Sequence, residues 1–267
     1  MRKTELKIKL SNLIHNIDVI KKVTNANIQA VVKANSYGLN AVEVAKTIDS
    51  RVESFSVITL DEALELRACT NKPILLLQGV HEKSDYEIIE KYKLDFVLHS
   101  KWQLDGISEY NLANSRAWIK INTGMNRLGF DLHEFEEILQ IASKLKIKEF
   151  LLMSHLAASS IKDDKQTLEQ IEVFNNVTKN IRCRKSLANS GAVFNFPSSH
   201  HDIIRPGIAI YGGKYTEHGT KNVSSLSSRI MSIRPIKSGA KVGYDGTWVA
   251  DEDCLIAAIP LGYGDGL

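Results

Sequence analysis

Ile28-Gln29-Ala30-Val31-Val32-Lys33 is an apolar, β-branched run that ends on a lysine, and Ala34-Asn35-Ser36-Tyr37-Gly38 follows it as a loop. Seven more runs of this kind recur about every 25 residues: Ser54 to Thr59, Pro73 to Gly79, Asp95 to His99, Ala117 to Thr123, Glu149 to His155, Arg184 to Ser190 and Ile203 to Gly207. Between them lie stretches of helical length and period, such as Asp61 to Cys69, Ser84 to Tyr92, Leu132 to Leu145 and Asp164 to Asn180. Strands that alternate with helices predict parallel βα units. Ile74-Leu75-Leu76-Leu77 and Phe150-Leu151-Leu152-Met153 are apolar without interruption, as strands covered on both faces must be. An open doubly wound sheet uses the same alternation but rarely needs eight strands, so the pattern predicts an α/β fold of the closed (β/α)8 TIM type.

The chain of 267 residues is 43% hydrophobic and 24% charged, enough to bury a barrel-sized core. Its 34 basic and 31 acidic residues leave a net charge of +3 scattered along the sequence, which gives no reason to expect nucleic acid. No apolar stretch approaches the roughly 18 to 20 residues of a membrane span, and Met1-Arg2-Lys3-Thr4-Glu5 leads into an alternating strand instead of a signal-peptide core. A cytoplasmic protein is the expectation. Cys69, Cys183 and Cys254 have no paired spacing, so neither disulfides nor a metal site is signalled.

Past Tyr211-Gly212-Gly213 the character changes. A Ser-, Lys- and Asn-rich stretch is followed by alternating Arg229-Ile230-Met231-Ser232-Ile233-Arg234, a turn, and Leu255-Ile256-Ala257-Ala258-Ile259. This predicts two domains, a barrel over 1–220 and the beginning of a β-domain over 221–267 with too few strands to stand alone.

A barrel of this kind carries its chemistry at the carboxyl ends of its strands. Those ends are polar here: Lys33 with Tyr37 after strand one, Lys120 and then Arg127 at strand five, His155 at strand six, Ser190 at strand seven, and Arg205-Pro206-Gly207 at strand eight. Each alone has an ordinary reading as a solvated lysine, a packed aromatic or a satisfied buried histidine. A lysine emerging from an apolar strand, poorly solvated, is a nucleophile toward an aldehyde. Ser190, the amides of Gly207 and Ile208, and the Tyr37 hydroxyl are donors suited to a phosphate. An aldehyde with a phosphate describes pyridoxal phosphate. A sugar phosphate would use the same glycines but leaves Arg205 and Tyr244 without a role, and stays open as the second reading.

Five ordered segments resemble the alanine racemase family of pyridoxal-phosphate enzymes: Val31 to Gly38, Lys120 to Gly129, Arg205 to Ile208, Val242-Gly243-Tyr244-Asp245-Gly246, and Ile259 to Gly266. The resemblance implies that Lys33 holds the cofactor as a Schiff base, that Tyr37, Ser190, Gly207 and Ile208 hold its phosphate, and that Arg205 faces its pyridine nitrogen, making the ring a weaker electron sink. It implies substrate binding by Arg127 and by Lys120, a position often carbamylated in the family. Catalysis is implied for Lys33 and Tyr244 as two opposed proton-transfer groups, with His155 hydrogen-bonded to the tyrosine. In the family that tyrosine comes from a second subunit, so a head-to-tail homodimer is implied.

Departures accompany the resemblance. Ser186 stands where many relatives have a histidine linked to the pyridine-facing arginine, Leu39-Asn40 replaces a frequent His-Gly, and the family's second domain continues beyond Leu267. The expectation is therefore an alanine racemase supplying D-alanine for peptidoglycan. Its alternatives are a serine racemase on the same scaffold or a truncated, catalytically impaired cofactor-binding barrel. A decarboxylase on this barrel would place a carboxylate, not Arg205, at the ring nitrogen.

Overall fold

The computed structural model describes residues 3–266; Met1, Arg2 and Leu267, used above in reading the two chain ends, lie outside the described residues. The chain forms two compact units, Lys9–Val223 and a second one built from the segment ending at Ile8 together with the residues from Ser224 onward. The Lys9 N–H donates to the Val223 carbonyl at 2.7 Å, so the chain enters and leaves the larger unit at one place.

The larger unit is the expected barrel. Its strands are β1 Asn27–Val31, β2 Ser54–Val57, β3 Ile74–Leu76, β4 Asp95–Leu98, β5 Leu112–Lys120, β6 Ile147–Met153, β7 Lys185–Ser186 and β8 Ile203–Ile204. They lie in the order β7-β6-β5-β4-β3-β2-β1-β8, all parallel. A parallel bridge between Asn189 and Arg205, past the ends of β7 and β8, closes the ring. Period-two alternation sorts each strand. In β5, Ala117 and Ile119 join the outer core against the helices, while Trp118 packs inward with Leu75, Val97, Leu151, Met153 and Ile203. Helix Leu10–Val23 buries Leu13, Asn16, Ile17 and Ile20, a stripe at helical spacing. Its Asn16 amide donates to the carbonyls of Ile210 and Lys221, both at 2.8 Å, fastening the end of the unit to its beginning.

Two of the expected runs end differently. Arg184 to Ser190 reads as one strand, but β7 stops at Ser186 and Ser190 opens helix Ser190–Asn195, because the Asn189 side chain caps that helix by accepting the Ala192 N–H. Leu132 to Leu145 divides into a 3-10 turn, Leu132–Glu134, and a helix, Phe135–Ala142.

The second unit is β-structure, as its alternating pattern predicts. Glu5–Ile8 pairs antiparallel with Ser224–Ser227, Ser232–Ile236 with Cys254–Ala258, and Lys241–Val242 with Trp248–Val249. Ile230, Met231, Ile233 and Leu255 are all more than half exposed, so this unit leaves an apolar face uncovered within a single chain.

Candidate active site

The inward register of the strands continues past their ends and delivers the polar side chains to one cavity. Two residues beyond Val31 stands Lys33; two beyond Trp118, Lys120; two beyond Met153, His155; two beyond Ile203, Arg205. The cavity holds about 640 Å³ and is lined by Lys33, Tyr37, Lys120, Arg127, His155, Ser190, Arg205, Gly207 and Ile208, nine of the residues singled out from sequence. The remaining one, Tyr244, belongs to the second unit and is 93% exposed.

The segment after Lys33 is not the loop its composition suggests. Ala34, Asn35, Ser36 and Tyr37 all adopt left-handed helical backbone, with φ between 51° and 58°. Non-glycine residues resist this conformation by about 1–2 kcal/mol each, so the surroundings must hold it. The Ser36 N–H donates to the Val32 carbonyl at 2.9 Å, and the Asn35 side chain accepts the Ala41 N–H at 2.7 Å. The turn brings Tyr37 against Tyr211, with ring centroids 4.9 Å apart, and its hydroxyl over Gly207, where a Cβ would lie 2.5 Å from that oxygen. A side chain at 207 would push that hydroxyl aside.

Arg205 is buried to 3% exposure. Its Nη1 donates to Ser186 Oγ, and its Nη2 to the Ser154 carbonyl at 2.5 Å and the Leu187 carbonyl at 3.4 Å. Ser186 in turn donates to the Ile203 carbonyl at 2.6 Å, so a hydroxyl that does not titrate near neutral pH orients this cation. Nearby, Ser190 Oγ accepts the N–H groups of Gly207 (2.9 Å) and Ala209 (3.2 Å). The Gly207 amide, expected from sequence to face a phosphate, is thus engaged by Ser190. The serine's own proton and the Ile208 N–H have no protein acceptor among the described residues.

The site is strongly cationic. Lys33 is half-buried, and the lysine that burial acts on most is Lys120, whose pKa is pushed down to about 8 by desolvation and then by Arg205 and Arg127. His155 is pushed down to about 3, first by desolvation and then by Arg205, Lys120, Arg127 and Lys33, which keeps its imidazole neutral. Arg127 stands exposed at the rim on a loop shaped by Asn122, whose side chain accepts the N–H groups of Gly124 (3.2 Å) and Asn126 (3.1 Å).

Lys120 has a measurable consequence. Below about pH 8 it is charged both folded and unfolded, and its burial opposes folding. From there to its ordinary 10.5 the unfolded chain binds more protons, so stability rises with pH across that window. Lys120→Met is expected to raise the melting temperature of the cofactor-free chain at pH 7, with the gain shrinking as pH approaches 10.5. A gain that is absent or independent of pH in thermal unfolding contradicts this.

The family models for the N-terminal and C-terminal domains of alanine racemase match residues 8–215 and 223–267. The chain belongs to the alanine racemase family. It is 39% identical to the alanine racemase of Haemophilus influenzae over 97% of this chain and 75% of that protein. The crystal structure of the biosynthetic alanine racemase from Pseudomonas aeruginosa is 33% identical and superposes with a TM-score of 0.93, covering 100% of this chain and 77% of that one. The alanine racemase of Bartonella henselae with covalently bound pyridoxal phosphate is 29% identical, with a TM-score of 0.83 over 98% of this chain and 76% of that one. The resemblance read from the five segments is borne out, and the serine racemase alternative gains no support from these relatives.

The cavity residues fit pyridoxal phosphate. A lysine stands at the end of a strand, and the Ser190 hydroxyl, the Ile208 amide and the Tyr37 hydroxyl, gathered around Gly207, are the donors that would hold a phosphate. Tyr37 remains a neutral donor because desolvation raises its pKa further. Arg205 has both terminal nitrogens tied, leaving Nε–H for a ring nitrogen.

Sequence reasoning missed the residues behind this rim. Gln170 is 1% exposed on helix Lys165–Thr178; its Nε2 donates to the His155 carbonyl at 3.0 Å and to Thr123 Oγ1 at 3.4 Å, and its Oε1 accepts the Ala157 N–H at 2.9 Å. Thr123 and Ser154 exchange a hydrogen bond at 2.8 Å, so one network joins the Arg127 loop, His155 and the carbonyl that holds Arg205. An amide inside the apolar stripe of Ile171 and Phe174 is the signal that marks Gln170.

Proposed function

We propose that this chain interconverts L- and D-alanine with pyridoxal phosphate as cofactor, Lys33 and Tyr244 serving as the two proton-transfer groups. The observation that carries the reading is the convergence of nine residues singled out from the sequence on one cationic cavity at the carboxyl end of the barrel. When bound, the cofactor supplies the electron withdrawal that makes the Cα–H of an amino acid acidic. The protein does the rest. Lys33 would hold the aldehyde carbon until the amine of the substrate displaces it, and the freed Nζ then moves a proton at one face of Cα, while the Tyr244 hydroxyl moves a proton at the other face. The neutral His155 ring, without a hydrogen bond among the described residues, is the acceptor for that hydroxyl. Arg127 binds the substrate carboxylate, and Arg205 keeps the ring nitrogen unprotonated.

In this reading Lys120 supports Arg127 as a carbamate. An amine with its pKa near 8 is in part unprotonated at neutral pH, so its nitrogen attacks the carbon of carbon dioxide and releases a proton. Tyr244 reaches the cavity from a second copy of the chain in a head-to-tail homodimer. Its exposure and the uncovered Ile230, Met231, Ile233 and Leu255 support that assembly. The product is D-alanine for peptidoglycan, made in the cytoplasm; among the described residues no helix is long and apolar enough to cross a membrane.

The test is isotopic. With added pyridoxal phosphate in deuterated water, the chain is expected to place deuterium at Cα of L-alanine and to produce D-alanine, with serine far slower. A visible cofactor band without exchange at Cα overturns the racemase reading in favour of a binding barrel.

A further inference from the structure

The left-handed turn after Lys33 is tied on its far side by Asn35, while on the lysine side the Ser36–Val32 bond is joined by one to a residue of another element. The Ala34 N–H donates to Glu62 Oε1 at 2.5 Å. The other oxygen of the same carboxylate accepts the N–H groups of Ile58 at 2.8 Å and Thr59 at 3.3 Å. A capping box at the start of helix Leu60–Arg67 requires only the Thr59 bond, which the Glu62 N–H answers by donating to Thr59 Oγ1 at 3.3 Å. The bonds to Ala34 and Ile58 exceed what the helix needs. They join the residue directly after Lys33 to Ile58, which follows β2 and lines the cavity.

We propose that Glu62 is a positioning residue for the cofactor lysine, its carboxylate clamping the first residue of the left-handed turn to the residue that follows β2 and so fixing the backbone from which Lys33 reaches the cavity. An ionised carboxylate is acceptor on both oxygens, and the clamp uses both. Without it, the Ala34 N–H loses its side-chain acceptor, the Ser36–Val32 bond is left to hold the lysine side of the turn, and Lys33 Nζ loses its aim. The inference rests on the reading of Lys33 as the cofactor anchor.

Glu62→Gln is nearly isosteric but turns one acceptor into a donor facing an N–H group, so one side of the clamp must open. Thr59→Ala removes the hydroxyl of the capping box and leaves the Glu62 carboxylate in place. Pyridoxal phosphate is titrated into the full chain by its visible band, with unfolding temperature and the KM for alanine read on the same samples. Glu62→Gln is expected to weaken cofactor binding roughly tenfold, the scale of one bond to a charged group, with KM for alanine unchanged. Thr59→Ala is expected to lower the unfolding temperature while cofactor affinity stays that of the parent. Parental affinity in Glu62→Gln, or an equal loss in Thr59→Ala, overturns the proposal. Should Glu62→Gln fail to fold, Glu62→Asp, one methylene too short to span both partners, takes its place: weakened cofactor binding supports the clamp and parental affinity overturns it. No visible band in the parent chain itself overturns the Lys33 reading and this inference with it.

Discussion

Lys33→Ala is expected to abolish the visible band of the bound cofactor and, with it, all exchange at Cα of alanine. Two amines line the cavity among the described residues, Lys33 and Lys120. Chemistry alone favours Lys120, because a pKa near 8 leaves about a tenth of it unprotonated at pH 7. Position favours Lys33, which stands beside the Tyr37, Gly207 and Ser190 cluster that fits the phosphate, at the head of a turn the protein holds at considerable conformational expense. Absorbance spectra of Lys33→Ala, Lys120→Ala and the double variant separate the two. A band that survives in Lys33→Ala and vanishes only in the double variant moves the anchor to Lys120 and removes the central assignment.

Tyr244→Phe is expected to stop racemisation in both directions by a factor of about 100 to 10,000, the usual worth of a positioned acid-base group. Equal loss in both directions is forced by thermodynamics, since L- and D-alanine have the same free energy in water. Exchange with solvent is under no such constraint. The enantiomer whose proton Lys33 removes still passes it to solvent and takes up deuterium with retention, while its mirror image does not. Deuterium uptake followed separately for each enantiomer therefore distinguishes two opposed groups from one, and equal residual uptake by both counts against Tyr244 as the second group.

Much of this was legible in the residues because it depends on local rules. Continuous β-branched runs such as Phe150 to Met153 announce strands covered on both faces, and a count of eight predicts closure, which the Asn189–Arg205 bridge completes. Rim residues were legible because period two carries Lys120, His155 and Arg205 inward. What escaped depends on partners distant in sequence. Nothing in Ala34-Asn35-Ser36-Tyr37 predicts four left-handed residues, for only asparagine tolerates that backbone well. Glu62 reads as a helix cap, its local role, until the fold sets Ala34 beside it. Gln170 reads as one more polar helix residue until burial shows what it holds.

The meeting of Lys9 with Val223 fixes an order of events on the ribosome. Glu5–Ile8 is made before every barrel strand, but its partner Ser224–Ser227 emerges only after the last of them. While the barrel is being made this strand is an unpaired edge, and its Leu6 and Ile8 are a hazard for association between nascent chains. Glu5 and Lys7, alternating with them, put charge on that edge while it waits.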